Sequence, residues 1–315
     1  MRIAILDDYQ HFGGRFPGWR SLPQVSVVSF GDHVADEEEL VARLQGFQGI
    51  CRIRERTALS RRVLEGLPDL QIVLATGTRN ADSIDLETAR KRNITVCSTD
   101  SLQRETVEVT WWLILSLLRG LEREAALVRS GGWQFGLGRR LSGKTLGIVG
   151  LGKLGVPVSL VARSFEMIVQ AWSPNLSSAK AAEHGVRAVS KAELFKTSDV
   201  ISLHMPLSPS SAGLIGREDI ALMKPDAILI NTSRAGLLDQ EALLDALQAG
   251  RIGGFGADVH PEEPLPLLDP FRHLPNVVAT PHIGYATQEN FQIFFSQSVE
   301  NLAAFLDGKP IRVIN

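Results

Sequence analysis

The sequence predicts an α/β protein built on a doubly wound parallel sheet, and three observations carry that prediction. Short apolar runs alternate with amphipathic segments along the chain. A Gly-x-Gly-x-x-Gly run, Gly150, Gly152 and Gly155, follows directly on one such apolar run. The ionisable candidates for chemistry, Arg234, Glu263 and His282, each fall in the segment after a later one. Alternation of this kind is what parallel strands demand, because each crossover needs a helix-length connection to return across the sheet.

Taken in order, residues 2–6, 25–30, 49–53, 72–75 and 95–97 read as strands, with helix-like segments at 37–44 and 60–64. The first hundred residues or so thus hold an α/β unit of their own. The stretch 105–128 carries Val107, Trp111, Ile114, Leu118 and Leu121 along one face and predicts a single long helix. Strand 145–149 leads into the glycine run, and the apolar-periodic segment 156–165 follows it as a helix. Further strands are expected at 168–172, 200–204, 227–231, 254–258 and 277–280. Beyond them, 287–306 reads as an amphipathic helix ending at Gly308, and 311–314 as a short strand. Such a tail is expected to return to the first unit. The organisation is then a central domain, 101–285, inserted in a split domain made of 1–100 and 286–315.

Composition narrows the function classes. A chain of 315 residues with 44% hydrophobic content suits two domains. Its net charge of -2 lacks the basic footprint of a nucleic-acid binder, so a small molecule is the expected partner. The start, Met-Arg-Ile-Ala-Ile-Leu, carries no apolar secretory segment, and no apolar run is long enough to span a bilayer, so a cytoplasmic location with no membrane partner is expected. Cys51 and Cys97 have no metal-binding or redox spacing and read as buried free thiols; no metal site is expected.

The glycine run has the form of a dinucleotide cradle. A strand, a tight turn and a helix start bring the backbone N–H groups of residues 151–155, Lys153 and Leu154 among them, against a pyrophosphate that side chains would obstruct. Arg234 offers a planar fork for a carboxylate, His282 an imidazole that can give or take a proton, and Glu263 a carboxylate to stabilise the imidazolium. Reduction of a 2-oxo acid needs that set of groups. Taken singly, each also reads as an ordinary loop residue.

With these residues in place, the sequence resembles the D-isomer-specific 2-hydroxyacid dehydrogenase family over nearly its whole length. The resemblance rests on residues 145–155 and on Ser198-Asp-Val-Ile-Ser-Leu-His-Met-Pro206. It continues in Met223-Lys-Pro-Asp-Ala-Ile-Leu-Ile-Asn-Thr-Ser-Arg234, Gly256-Ala-Asp-Val-His-Pro-Glu-Glu-Pro-Leu-Pro266 and Leu274-Pro-Asn-Val-Val-Ala-Thr-Pro-His-Ile-Gly284. It implies a Rossmann cofactor domain inserted in a split flavodoxin-like substrate domain. It assigns Arg234 to substrate orientation, His282 to acid/base catalysis and Glu263, rather than Glu262, to the histidine's partner. Asp258 is implied near the nicotinamide amide, with His204, Pro206, Ser211 and Thr232 lining the cofactor. A homodimer is also implied, formed through about 105–140, where Trp111, Trp112 and Trp133 supply apolar area; core packing within one subunit is the other reading of these tryptophans.

Three departures from the family pattern bear on specificity. The strand ending at Trp172 is followed by Ser173-Pro174-Asn175, so Ser173 stands where NAD-preferring members carry an acid for the ribose hydroxyls. Loss of that carboxylate removes repulsion against a 2′-phosphate, with Lys180 as the nearest cation, so both NAD and NADP are expected to serve, NADP slightly ahead. The substrate loop reads Gly77-Thr78-Arg79-Asn80, with Thr78 and Asn80 in place of family glycines and Arg79 reading either as an added cation over the substrate or as an outward-facing loop arginine. Arg54-Glu55-Arg56 falls where phosphoglycerate-using members have an Arg-Ser pair, and Glu55 would repel the phosphate. Small 2-oxo acids such as glyoxylate, hydroxypyruvate or pyruvate are therefore expected ahead of 3-phosphoglycerate. The rival reading is a non-catalytic nucleotide-sensing module on the same fold.

Overall fold

The computed structural model describes residues 1–77 and 83–315. The chain forms two compact units, Met1–Leu102 with Ala286–Asn315, and Gln103–Tyr285.

In the first unit, β1 (Arg2–Leu6), β2 (Ser26–Ser29), β3 (Gly49–Arg52), β4 (Ile72–Ala75) and β5 (Thr95–Ser98) form one sheet in the order β2-β1-β3-β4-β5. Every pairing is parallel, in a flavodoxin-like order. Every residue of β3 and β4 is buried, as expected of central strands covered on both faces. The helices α1 (Glu37–Arg43), α2 (Arg61–Glu65) and α3 (Leu86–Lys91) begin at Asp36, Ser60 and Asp85, whose side chains accept first-turn amides. Each such cap contributes about 1 kcal/mol.

The expected long helix is two helices, α4 (Glu105–Arg119) and α5 (Leu121–Arg129). Gly120 separates them at φ 65°, a left-handed conformation that glycine adopts without a Cβ clash and that ends a helix. Apolar spacing continued across the break and hid it. α4 buries Trp111, Leu113, Ile114 and Leu118, whereas α5 buries no residue at all.

The second unit's sheet holds β6 (Thr145–Val149), β7 (Ile168–Trp172), β8 (Arg187–Ala188), β9 (Val200–Leu203), β10 (Ile228–Asn231), β11 (Gly254–Ala257) and β12 (Val277–Ala279). Its order is β12-β11-β10-β9-β6-β7-β8, again parallel throughout. This is the Rossmann order, with β12 as a seventh strand at one edge. Connections run one way from β6 to β7 and the other way to β9, so the strand ends near β6 form the switch point where such sheets bind ligands. The helices α6 (Gly155–Ser164), α7 (Ser178–Ala182), α8 (Lys191–Thr197), α9 (Arg217–Leu222) and α10 (Gln240–Gln248) complete the unit. β8, at two residues, is too short to leave a period in the sequence.

The tail helix α11 (Gln288–Leu306) belongs to the first unit, where Asn301 Nδ2 donates to the Ser98 carbonyl at 2.9 Å. The strand expected at 311–314 is only a single antiparallel bridge between Cys97 and Val313. Arg312 sits at φ 52°, out of the extended region, and this limits the ladder. Both cysteines are free and buried, and burial pushes the Cys51 thiol up to about 12. Among the described residues, no helix is long and apolar enough to cross a membrane.

Candidate active site

At the C-terminal end of β6 the three glycines have three different tasks. Gly150 takes φ 98°, and a Cβ there would lie 2.7 Å from the His204 carbonyl oxygen. At Gly155 a Cβ would lie 2.2 Å from the Gly150 carbonyl oxygen, so this glycine lets α6 pack close against the turn. A Cβ on Gly152 would meet nothing within 4 Å. Two glycines are therefore required by the protein's own packing, and Gly152 opens a face of the turn. The N-terminus of α6, at Leu154 and Gly155, has no side-chain cap, which leaves the positive end of its dipole for an anion.

His204 follows β9, its amide donating to the Val149 carbonyl at 2.8 Å. Nε2 contacts Ser202 Oγ at 2.9 Å, while the buried Nδ1 has no hydrogen-bond partner among the described residues. Burial pushes this imidazole down to about 4, so it is neutral at physiological pH. An unmatched buried nitrogen beside the Gly150 turn is suited to a polar group of a bound dinucleotide. Together with the cradle it shows that the residues present fit such a group. Ser211 and Thr232 are also buried, but their hydroxyls already have partners, Ser211 with the Pro206 carbonyl and Thr232 with Thr110. Pro206, whose carbonyl takes the Ser211 hydroxyl, is exposed. After β7, Ser173 is half-buried and Asn175 and Lys180 are exposed. The acid preceding β7, Glu166, stands at φ 59° with its carboxylate on Ser142 and not at the strand's end.

The Arg234 loop is shaped by Asn231 at the end of β10. The Asn231 carbonyl group Oδ1 accepts from Ser233 N at 3.0 Å, and Nδ2 donates to the Arg234 carbonyl at 2.9 Å, folding the chain as it leaves the sheet. Arg234 emerges half-buried, with Nη1 donating to the Ser233 carbonyl at 2.7 Å.

His282 and Glu263 meet. Nδ1 of His282 lies 2.7 Å from Glu263 Oε2, with the side chains 17% and 30% exposed. Glu263 Oε1 accepts from the His260 amide at 2.8 Å, which fixes the carboxylate's rotation. Burial works to raise the Glu263 carboxyl, but the His282 hydrogen bond and charge, with the His260 amide, hold it below the usual value. Glu263 is thus an anion at neutral pH and can only accept, so Nδ1 is the donor and Nε2 is the imidazole atom left for chemistry.

Asp258, 1% exposed, follows β11 and has both carboxylate oxygens engaged. Oδ1 accepts from Thr280 Oγ1 at 2.6 Å and from Ile283 N at 2.8 Å, and Oδ2 accepts from Gly284 N at 2.8 Å. Its described partners are therefore the turn that carries His282. Burial raises this carboxyl against those hydrogen bonds and the His282 charge. His260 adds another support, with Nε2 at 2.9 Å from the Thr280 carbonyl. The sequence offered one signal for His260, its place between Asp258 and Glu263, and none for the tethers onto the turn. Thr78, Arg79 and Asn80 lie outside the described residues.

A parallel sheet with a pyrophosphate cradle at its switch point, and a histidine paired with a carboxylate on the same unit, defines a dinucleotide-dependent oxidoreductase. Comparison with known proteins agrees. Residues 111–284 match the family model for the D-isomer specific 2-hydroxyacid dehydrogenase, NAD binding domain. The glyoxylate reductase of Thermococcus litoralis is 38% identical over 268 residues, covering 82% of this chain and 80% of that protein. The glycerate dehydrogenase of Methylorubrum extorquens is 38% identical over 292 residues, 88% of each chain. A crystal structure of a phosphoglycerate oxidoreductase from Vibrio cholerae superposes with a TM-score of 0.92 at 37% identity, covering 98% of this chain and 99% of that one. Matched D-3-phosphoglycerate dehydrogenases, such as that of Methanocaldococcus jannaschii, are covered over 48% of their length. The chain belongs to the D-isomer-specific 2-hydroxyacid dehydrogenase family, oxidoreductases that act on the CH–OH group with a nicotinamide cofactor.

Proposed function

We propose that this protein reduces small 2-oxo acids to D-2-hydroxy acids, with His282 as acid/base, Glu263 holding its tautomer and Arg234 orienting the substrate carboxylate. The 2.7 Å contact between His282 and Glu263 carries the reading. When bound, the reduced nicotinamide supplies the hydride that goes to C2. As the carbonyl oxygen gains negative charge, His282 Nε2 delivers the proton, and the fixed Glu263 carboxylate favours the imidazolium beforehand. The Arg234 fork suits the planar carboxylate. The cofactor site is assigned to Gly150, Gly152, Lys153, Leu154 and Gly155 at the pyrophosphate, Ser173 and Asn175 at the ribose, and His204, Pro206, Ser211, Thr232 and Asp258 around the rest. Thr78, Arg79 and Asn80 are assigned to the substrate. The outer unit, about 1–100 with 286–315, is the proposed substrate domain, and 101–285 the cofactor domain.

Among substrates, glyoxylate, hydroxypyruvate and pyruvate rank ahead of 3-phosphoglycerate, since Arg54 Nε faces Glu55 Oε2 at 3.4 Å and that carboxylate opposes a phosphate. Loss of reduced-nicotinamide absorbance with a panel of these acids tests the activity. Tight cofactor binding with no turnover across the panel would point instead to a nucleotide sensor.

With no carboxylate at Ser173, both cofactors are expected to work, and NADPH is expected to match or exceed NADH in kcat/KM, within about tenfold. A roughly thousandfold preference for NADH would overturn this.

A second copy of this chain is the proposed partner. Trp112 on α4 is 41% exposed, and Trp133 and Phe135, which follow α5, are 75% and 57% exposed; α5 buries no residue, while Trp111 packs inward at 5%. Apolar area of this extent marks an association surface. Sedimentation at micromolar concentration is expected to give the mass of two chains; a single-chain mass contradicts the assignment. The free buried cysteines support a cytoplasmic location.

A further inference from the structure

The turn that carries His282 is an unfavourable one for its sequence. His282 stands at φ 52°, in the left-handed region, which strains a residue with a Cβ. Asp258 holds this turn from the β11 side, through Thr280, Ile283 and Gly284. Two further contacts hold it from elsewhere. Thr106 Oγ1, in the first turn of α4, donates to the Gly284 carbonyl at 3.0 Å. The Tyr285 ring, 7% exposed, meets the His282 ring edge-on at 5.7 Å between centroids with 79° between planes.

We propose that Thr106 and Tyr285 are positioning residues for His282, an inference that rests on the acid/base reading of that histidine. Gly284 is where the tethers converge. A Cβ there would lie 2.9 Å from Asp258 Oδ2 and 3.2 Å from Thr106 Oγ1, so the turn is clasped between β11 and α4 with no room for a side chain. The clasp extends further along α4. Thr110 Oγ1 bonds the Thr106 carbonyl at 2.8 Å and Thr232 Oγ1 at 2.9 Å, so α4 is joined to the turn of His282 and also to the loop that leads to Arg234. Thr106 acts on the backbone of the turn, and Tyr285 on the ring. Neither needs to touch the substrate. Their effect follows from geometry, since proton delivery tolerates displacements of only a fraction of an ångström.

Thr106→Val keeps the shape and removes the donor, whereas Thr106→Ser keeps the donor. Tyr285→Leu removes the aromatic edge, whereas Tyr285→Phe keeps it. Thr106→Val and Tyr285→Leu are each expected to lower kcat about tenfold, the scale of a sub-ångström misplacement, while substrate KM and the cofactor Kd measured by fluorescence stay within about twofold. Ser at 106 and Phe at 285 are expected to recover most of the lost turnover. The inference is overturned if Thr106→Val and Tyr285→Leu keep wild-type kcat while His282→Ala is inactive. It is also overturned if Ser is as damaging as Val and the loss follows melting temperature and cofactor affinity, which marks a purely structural role. Retained turnover in His282→Ala would instead sink the acid/base reading beneath it.

Discussion

Replacing His282 with alanine is expected to lower kcat by about 100-fold or more, the usual scale for loss of a general acid. Cofactor affinity is expected to stay near wild type, because the cradle at Gly150–Gly155 does not include this side chain. The local geometry makes the effect specific. Glu263 Oε1 is engaged by the His260 amide and Oε2 by His282 Nδ1, so removing the imidazole takes away the Oε2 contact and leaves no proton donor in its place. Glu263→Gln is a useful companion, since it keeps the shape but removes the charge that stabilises the imidazolium and leaves one acceptor oxygen for the two N–H donors, His260 N and His282 Nδ1. It is expected to act mainly on kcat, and less severely than His282→Ala. Steady-state kinetics with a saturating 2-oxo acid would read both. Turnover near wild type in His282→Ala would remove this residue from the role.

The second large effect separates glycines that look alike in sequence. Gly155→Ala places a Cβ 2.2 Å from a backbone oxygen, which no rotamer change relieves, so the cofactor-free protein is expected to lose about 1–3 kcal/mol of stability. Gly152→Ala meets nothing within 4 Å and is expected to leave the melting temperature of the cofactor-free protein unchanged. Its methyl group points to open space on the cradle, and the cofactor Kd is expected to rise about tenfold or more through obstruction of the pyrophosphate. Thermal melts and cofactor titrations on the two variants check this. Equal cofactor affinity in Gly152→Ala and wild type would show that the pyrophosphate does not approach there.

Much of this was legible because strand and helix periods, and the residues just past strand ends, are local in sequence. Gly150 to Gly155 sit where strand meets helix, and Arg234, Glu263 and His282 each fall after a strand, as the sheet requires. What was not legible depends on contacts between distant residues or on single dihedral angles. Gly120 breaks the long helix by one left-handed residue while the apolar spacing continues through it. Arg312 cuts short the expected terminal strand in the same way. The partners of Asp258 are 22 to 26 residues away in sequence, and Thr106 reaches Gly284 across 178. No spacing rule connects such pairs. The family resemblance implies a cofactor contact for Asp258, and only the structure adds its hold on the turn of the histidine.

Hydride transfer to C2 of a 2-oxo acid with formation of the D isomer is tested by one labelled turnover. Hydroxypyruvate or glyoxylate is reduced with NADPH or NADH deuterated at the transferring position of C4, and the product is examined by NMR and, for hydroxypyruvate, by chiral chromatography. A single deuterium at C2 and D-glycerate from hydroxypyruvate are predicted. Product without the label, the L isomer, or no turnover with either cofactor would rule out this reaction.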